Sequence, residues 1–203
     1  MRIGILGGTF NPPHLGHLVC AQEAYIQLSL ARVMLVPARI PPHKPVDEEP
    51  GAPHRLEMCR LAVLGDEKRF DVSDLEIHRE GPSYTVDTLG ELRTRNPENE
   101  LFLILGGDIA AGLPGWHEPE RVMSLANVAV AERPGTSHGA VTDALAQIPG
   151  GETARFFDMP EIGISSTMLR ERVRMEESTR YLMPDAVRDY IDQHRLYRGS
   201  PDA

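Results

Sequence analysis

Short apolar runs that stop at glycine alternate along the chain with stretches whose apolar positions recur every three or four residues. Residues 3–6 form such a run and end at Gly7-Gly8, as expected of a strand buried on both faces and halted at a backbone turn. From Leu15 onward, Leu18, Val19, Ala21, Ala24, Tyr25 and Leu28 fall at helical spacing, and residues 33–36 read as a second strand. A β-α-β unit is predicted. Residues 40–53 hold Pro41, Pro42, Pro45, Pro50 and Pro53 together with Asp47-Glu48-Glu49, a composition that excludes regular structure and predicts a mobile loop. Helical periodicity resumes at Leu56, Leu61, Ala62 and Leu64, a strand is predicted over 70–72, and a helix over 86–95 ends before Pro97.

Residues 101–105 are the most apolar run and stop at Gly106-Gly107-Asp108, repeating the strand-then-glycine pattern. Two later strands are predicted over 128–131 and 153–157, and helices over 165–174 and 184–194, the last with Pro184 in its first turn. Residues 135–151 are weakly patterned, and the tail after Leu196 is expected to fray. Alternation of this kind implies an α/β fold: a three-layer, doubly wound parallel sheet whose ligand crevice lies beyond the carboxyl ends of the strands. At 203 residues the chain reads as a single domain, 1–203, with a small helical part from about 165 to 197.

Charge narrows the partners. With 30 acidic against 21 basic side chains the formal charge is −9, which argues against nucleic acid or an anionic membrane surface as partner. Any phosphate must be held by local groups. Cys20 and Cys59 match no metal or redox spacing and read as reduced core residues. The N-terminal apolar run is too short for a signal peptide and no stretch approaches a membrane span, so a cytoplasmic location is expected.

The segment richest in chemistry is Gly7-Gly8-Thr9-Phe10-Asn11-Pro12-Pro13-His14-Leu15-Gly16-His17. Glycines at a strand exit let backbone approach a phosphate, the following helix presents unpaired N–H groups, and the two prolines stiffen the turn. His14 and His17, three apart, share a helix face, and Gly16 keeps bulk off the approach. Surface histidines, or metal ligands joined by His43 or His54, are the alternatives. The helical zinc signature places histidines four apart with an intervening Glu, and no cysteine cluster is present, so Mg²⁺ carried in with a nucleotide is preferred.

Far along the chain, Ile164-Ser165-Ser166-Thr167-Met168-Leu169-Arg170 offers three hydroxyls at a helix start, no acid before Glu171, and Arg170 one turn in. Ordinary capping is the alternative for the hydroxyls. The two segments together resemble the H-x-G-H and I-S-S-T-x-(I/L)-R signatures of the nucleotidyltransferases, which transfer AMP or CMP from a nucleoside triphosphate to a phosphate-bearing acceptor. Pro41-Pro42-His43-Lys44, Gly81-Pro82-Ser83-Tyr84-Thr85 with Asp87-Thr88-Leu89, Gly106-Gly107-Asp108, Leu113-Pro114-Gly115-Trp116, Arg133-Pro134-Gly135 and Tyr181-Leu182-Met183-Pro184 are similar to blocks of the bacterial nicotinate-nucleotide adenylyltransferases, in their order. The resemblance runs from Met1 to about Tyr197. Asn11 stands where that family often has Asp, and His117 where Tyr is common.

The resemblance implies a Rossmann-like fold and a reaction in which ATP and nicotinic acid mononucleotide give deamido-NAD and pyrophosphate, with Mg²⁺ accompanying ATP and bound by no dedicated protein ligands. It implies His17 and His14 as catalytic residues, His17 on the α-phosphate with phosphate charge favouring its imidazolium form. Gly8, Thr9, Phe10, Lys44, Gly107, Asp108, Arg133, Ser165, Ser166, Thr167 and Arg170 are implied for ATP and its phosphates, and Tyr84, Thr85, Trp116 and His117 for the mononucleotide. On residue type alone Lys44 reads as a solvated loop lysine, Arg170 and Arg133 as surface ion pairs, Asp108 as a loop cap, Trp116 as core, and Tyr84-Thr85 as a turn and cap. Nicotinamide mononucleotide or another phosphate acceptor, and a non-catalytic nucleotide sensor, are the competing functions; a homo-oligomer is left open.

Overall fold

A computed structural model describes residues 1–42, 50–132 and 138–198. Six strands, β1 (Arg2–Gly8), β2 (Arg32–Pro37), β3 (Phe70–Val72), β4 (Glu100–Gly106), β5 (Asn127–Glu132) and β6 (Arg155–Asp158), form one sheet in the order β3-β2-β1-β4-β5-β6. Every pairing is parallel, with Ile5 opposite Met34 on one side and Leu103 on the other. The order reverses at β1 and β4, so their carboxyl ends, Gly7-Gly8 and Gly106, frame the crevice where such sheets bind ligands.

The helices are α1 (Leu15–Gln27), α2 (Ala52–Ala62), α3 (Thr85–Arg95), α4 (Gly107–Ala111), α5 (Pro119–Leu125), α6 (His138–Leu145), α7 (Ser166–Arg174) and α8 (Asp185–Gln193). Alternate side chains of each strand enter opposite layers. Ile3, Ile5, Leu103 and Val128 pack with Val86 and Leu89 of α3, whereas Leu35, Phe102, Ile104 and Ala129 pack with Ala21 and Ala24 of α1. A third cluster joins α2, α7 and α8 through Met58, Leu169, Val187 and Ile191.

Expected and observed elements differ mainly at short segments. α2 begins four residues before Leu56 because Pro53 sits in the first turn, where its missing N–H removes no helical bond. α6 lies within the weakly patterned stretch; only Val141 and Leu145 of it are buried, too little stripe to read as a period. The last strand starts at Arg155, since Gly151–Thr153 form a 3₁₀ turn. The tail does not fray at Leu196: Tyr197 is buried and packs in the α2–α7–α8 cluster. Most of the proline-rich stretch, residues 43–49, lies outside the described residues.

Candidate active site

Strand β1 delivers the chain to the crevice at Gly7, and the loop of residues 9–14 turns it into α1. Phe10 makes that turn with φ of +50°, its buried ring lying over Gly8 and edge-on to His17 with centroids 5.0 Å apart. His14 is the N-cap of α1 and His17 its third residue, and their rings stack at 3.8 Å. The His14 backbone N–H donates to Nδ1 of His17 at 3.2 Å. A ring nitrogen that accepts cannot also carry a proton, so the proton of His17 sits on Nε2 and makes that atom a donor. This bond orients the ring with Nε2 as donor; the imidazolium expected from sequence concerns the phosphate complex.

Helix α7 starts against the same loop. Ser166 Oγ donates to the Pro12 carbonyl at 2.9 Å and Arg170 Nη1 to the Asn11 carbonyl at 3.0 Å, across 154 and 159 residues. Ser165 caps the helix, its Oγ accepting from the Met168 N–H at 3.2 Å. Loop anchoring thus takes the hydrogen of Ser166, whereas Ser165 caps through its oxygen and keeps its O–H as a donor; with the first N–H groups of the helix it can serve an anion. Neither α1 nor α7 has an acidic residue in its first turn.

Between the two helix starts lies a cavity of about 530 Å³. Its lining includes the polar residues Thr9, Asn11, His14, His17, Ser165, Ser166, Thr167 and Arg170 and the apolar residues Ile104, Ile109, Met159 and Ile162. Among the described residues no carboxylate lines it, although the chain carries 30 acids. A space that combines the positive dipole ends of two helices with aliphatic wall suits a phosphorylated ligand carrying a flat ring.

Several expected residues stand elsewhere. Gly8 is part of β1, paired with Pro37 and covered by the Phe10 ring, so Gly7 takes its place at the wall. Gly107 and Asp108 open α4, and Gly106 and Ile109, three apart on one face, line the cavity instead; Asp108 is exposed beside it. Tyr84 caps α3 and Thr85 begins it; the Tyr84 ring meets that of His117 at 4.4 Å. Trp116 follows a 3₁₀ turn over Leu113–Gly115 and, like Tyr84, is half-buried against the α3-side core. None of these aromatic residues lines the cavity described above. Lys44 and Arg133, with His43, lie outside the described residues. Cys59 is buried, and burial pushes its thiol well above the usual range despite the opposing charge of Arg55; Cys20 is half-buried, packed against the α1-side core and at the cavity wall.

Sequence reading missed three residues. Arg55, fully buried in α2, donates from Nη1 to the Thr9 carbonyl at 2.9 Å and from Nη2 to the Arg39 carbonyl at 3.1 Å, tying the β1 loop to the end of β2. Its position on the stripe with Met58, Cys59 and Ala62 was the available signal. Glu76 is buried and accepts from Thr88 Oγ1 at 2.6 Å; burial raises its carboxyl, while hydrogen bonds from Thr88 and Ser83 and the charges of Arg79 and Arg55 oppose the rise. Tyr197 donates to Asn11 Oδ1 at 2.6 Å, a contact no local pattern announces.

Comparison with known proteins gives consistent results. A cytidylyltransferase-like family model matches residues 5–172. The nicotinate-nucleotide adenylyltransferase of Bacillus subtilis is 39% identical over 198 residues, covering 98% of this chain and 99% of that protein. A probable nicotinate-nucleotide adenylyltransferase of Synechococcus sp. is 43% identical, covering 97% and 94%. Among solved structures, Plasmodium falciparum nicotinic acid mononucleotide adenylyltransferase complexed with NaAD superposes with a TM-score of 0.77 over 97% of each chain at 21% identity, a likeness of fold.

Proposed function

Because this chain belongs to the nicotinate-nucleotide adenylyltransferase family, we propose that it transfers the adenylyl group of ATP to nicotinic acid mononucleotide, forming deamido-NAD and pyrophosphate. The observation that carries this reading is the cavity, lined by no carboxylate among the described residues, in which paired histidines and the start of α7 meet.

A 5′-phosphate oxygen of the mononucleotide attacks the α-phosphorus of ATP, and the bond from that phosphorus to the bridging oxygen of the β-phosphate breaks. The nucleophile is already an anion at neutral pH, so no general base is needed. What the protein must supply is alignment of two anions and stabilisation of charge on the transferring group. In this scheme His17 Nε2 donates to the α-phosphate, and the bond from the His14 N–H to Nδ1 fixes both its tautomer and its aim. His14 supports the His17 ring from the side. The N–H groups opening α7, the Thr167 hydroxyl and the Arg170 guanidinium hold the triphosphate; the resemblance adds Lys44 for the leaving pyrophosphate and Arg133 for phosphate or base. Ile104 and Ile109 receive the adenine.

For the acceptor, Trp116, Tyr84 and His117 supply ring surfaces for the pyridine, and N–H groups at the start of α3 with the Thr85 hydroxyl meet its carboxylate. An amide in that position sets a donor against a donor, which is the basis for preferring the acid. Among the described residues no three His, Cys, Asp or Glu side chains cluster to cage a metal ion. Mg²⁺ favours phosphate oxygens and water over an all-protein cage and would enter with ATP, with exposed Asp108 as a carboxylate that could help place it. When bound with ATP it neutralises phosphate charge. No helix among the described residues is long and apolar enough to cross a membrane; a reducing cytoplasm is the proposed setting.

Pyrophosphate release with ATP and Mg²⁺, measured for the acid and amide mononucleotides, tests the reading. Faster turnover of the acid is expected. Equal rates remove the substrate assignment, and no release with either removes the enzyme.

A further inference from the structure

One after another, carbonyl oxygens of the loop between β1 and α1 are taken up by donors from other parts of the chain. The carbonyls of Thr9, Asn11 and Pro12 accept from Arg55, Arg170 and Ser166 respectively, each on a helix outside the loop. An anion seat gains from this arrangement, because a carbonyl oxygen already bonded to a donor is less repulsive to a phosphate nearby. Asn11 extends it to a side chain. Its Oδ1 accepts from the Tyr197 hydroxyl at 2.6 Å, with 186 residues between the two in sequence.

Both residues are buried, and Asn11 lines the cavity. A carboxamide has its acceptor at one end and two donor hydrogens at the other. Tying Oδ1 to the tail turns Nδ2 from the tail, and among the described residues no protein acceptor is bonded to Nδ2. Tyr197 cannot follow a rotating amide, since its ring is fixed among Met58, Leu169, Met183 and Ile191.

We propose that Tyr197 is a positioning residue for the triphosphate: its hydroxyl holds the Asn11 amide with the oxygen outward and the N–H donors toward the anion. The tail after α8 thereby becomes part of the nucleotide site. The inference rests on the reading of the cavity as the ATP site. Without the hydroxyl, the amide is free to present its oxygen to phosphate, replacing an attraction by a repulsion.

Tyr197→Phe removes the hydroxyl and keeps the ring in its cluster. Binding of Mg·ATP by titration calorimetry, KM for each substrate and Tm are to be measured for this variant, for Asn11→Ala and for the double variant. Tyr197→Phe is expected to weaken ATP binding about five- to tenfold, the scale of one hydrogen bond. It should raise KM for ATP, leave KM for the mononucleotide unchanged and lower Tm by no more than about 4 °C. In the double variant ATP should bind no more weakly than in Asn11→Ala alone, because the two residues act through one bond. Unchanged ATP affinity in Tyr197→Phe, or losses that add in the double variant, overturns the proposal. If the wild-type chain binds ATP, weakens on Tyr197→Phe and transfers no AMP, this inference stands and the proposed reaction falls; normal transfer with undiminished affinity in the variant gives the reverse. A wild-type chain that binds no ATP overturns both.

Discussion

Gly16→Ala sets stability and activity against each other. A Cβ at Gly16 lies 3.0 Å from His14 Nδ1 and 3.1 Å from its Cε1, with Ile162 Cγ2 behind at 3.7 Å. Ordinary carbon contacts begin at about 3.4 Å, so the His14 ring must move by about 0.4 Å. That ring is stacked on His17 at 3.8 Å, and the shift passes to the donor aimed at the α-phosphate. A misplacement of about 1 Å costs roughly a hundredfold in rate, so about tenfold is expected here. Alanine is favoured over glycine in a helix by up to about 1 kcal/mol, which offsets the contact, and Tm should stay within about 3 °C of the wild type. The paired measurement is kcat from pyrophosphate release and Tm from thermal unfolding, with circular dichroism to show that α1 is intact. A wild-type kcat would refute the reasoning, since the histidine pair would then tolerate displacement; a collapse of Tm would mean that Gly16 serves the fold instead.

Three further outcomes are expected. His17→Ala should lower kcat by about 10²- to 10³-fold while ATP affinity measured by calorimetry changes little, and a near-normal kcat would make the residue structural. Alkylation of the folded protein should label Cys20 and spare buried Cys59, and ATP should slow labelling at Cys20; labelling indifferent to ATP would place the nucleotide elsewhere. The guanidinium of Arg79, and then that of Arg95, hold the Glu91 carboxyl below its ordinary 4.5, so its stabilising contribution is present above that pH and is lost as pH falls beneath it. The Tm difference between wild type and Glu91→Gln should accordingly be largest near neutrality and vanish in acid, and a difference that grew in acid would reverse the assignment.

Long elements were legible because their burial is periodic. Residues 101–105 and the stripe from Leu18 to Leu28 face packed layers along their whole length, so pattern and structure coincide. α4, α5 and α6 each bury few side chains, and a helix that touches the core once or twice leaves no period to detect. The histidine pair and the hydroxyl-rich helix start were visible as local chemistry, and the crevice rule placed the first of them. Their meeting depends on how α7 packs onto the β1 loop, which pairwise spacing in sequence does not encode. Arg55 and Tyr197 were hidden for the opposite reason: a polar group in a core stripe reads as an exception until its partners, the Thr9 carbonyl and Asn11 Oδ1, are seen.

A crystal structure with a non-hydrolysable ATP analogue and Mg²⁺ tests the central claim most directly. The α-phosphate is expected within hydrogen-bonding distance of His17 Nε2, and the β- and γ-phosphates against the first turn of α7 and Arg170. A triphosphate bound away from either helix start, or with His17 turned from it, would contradict the account.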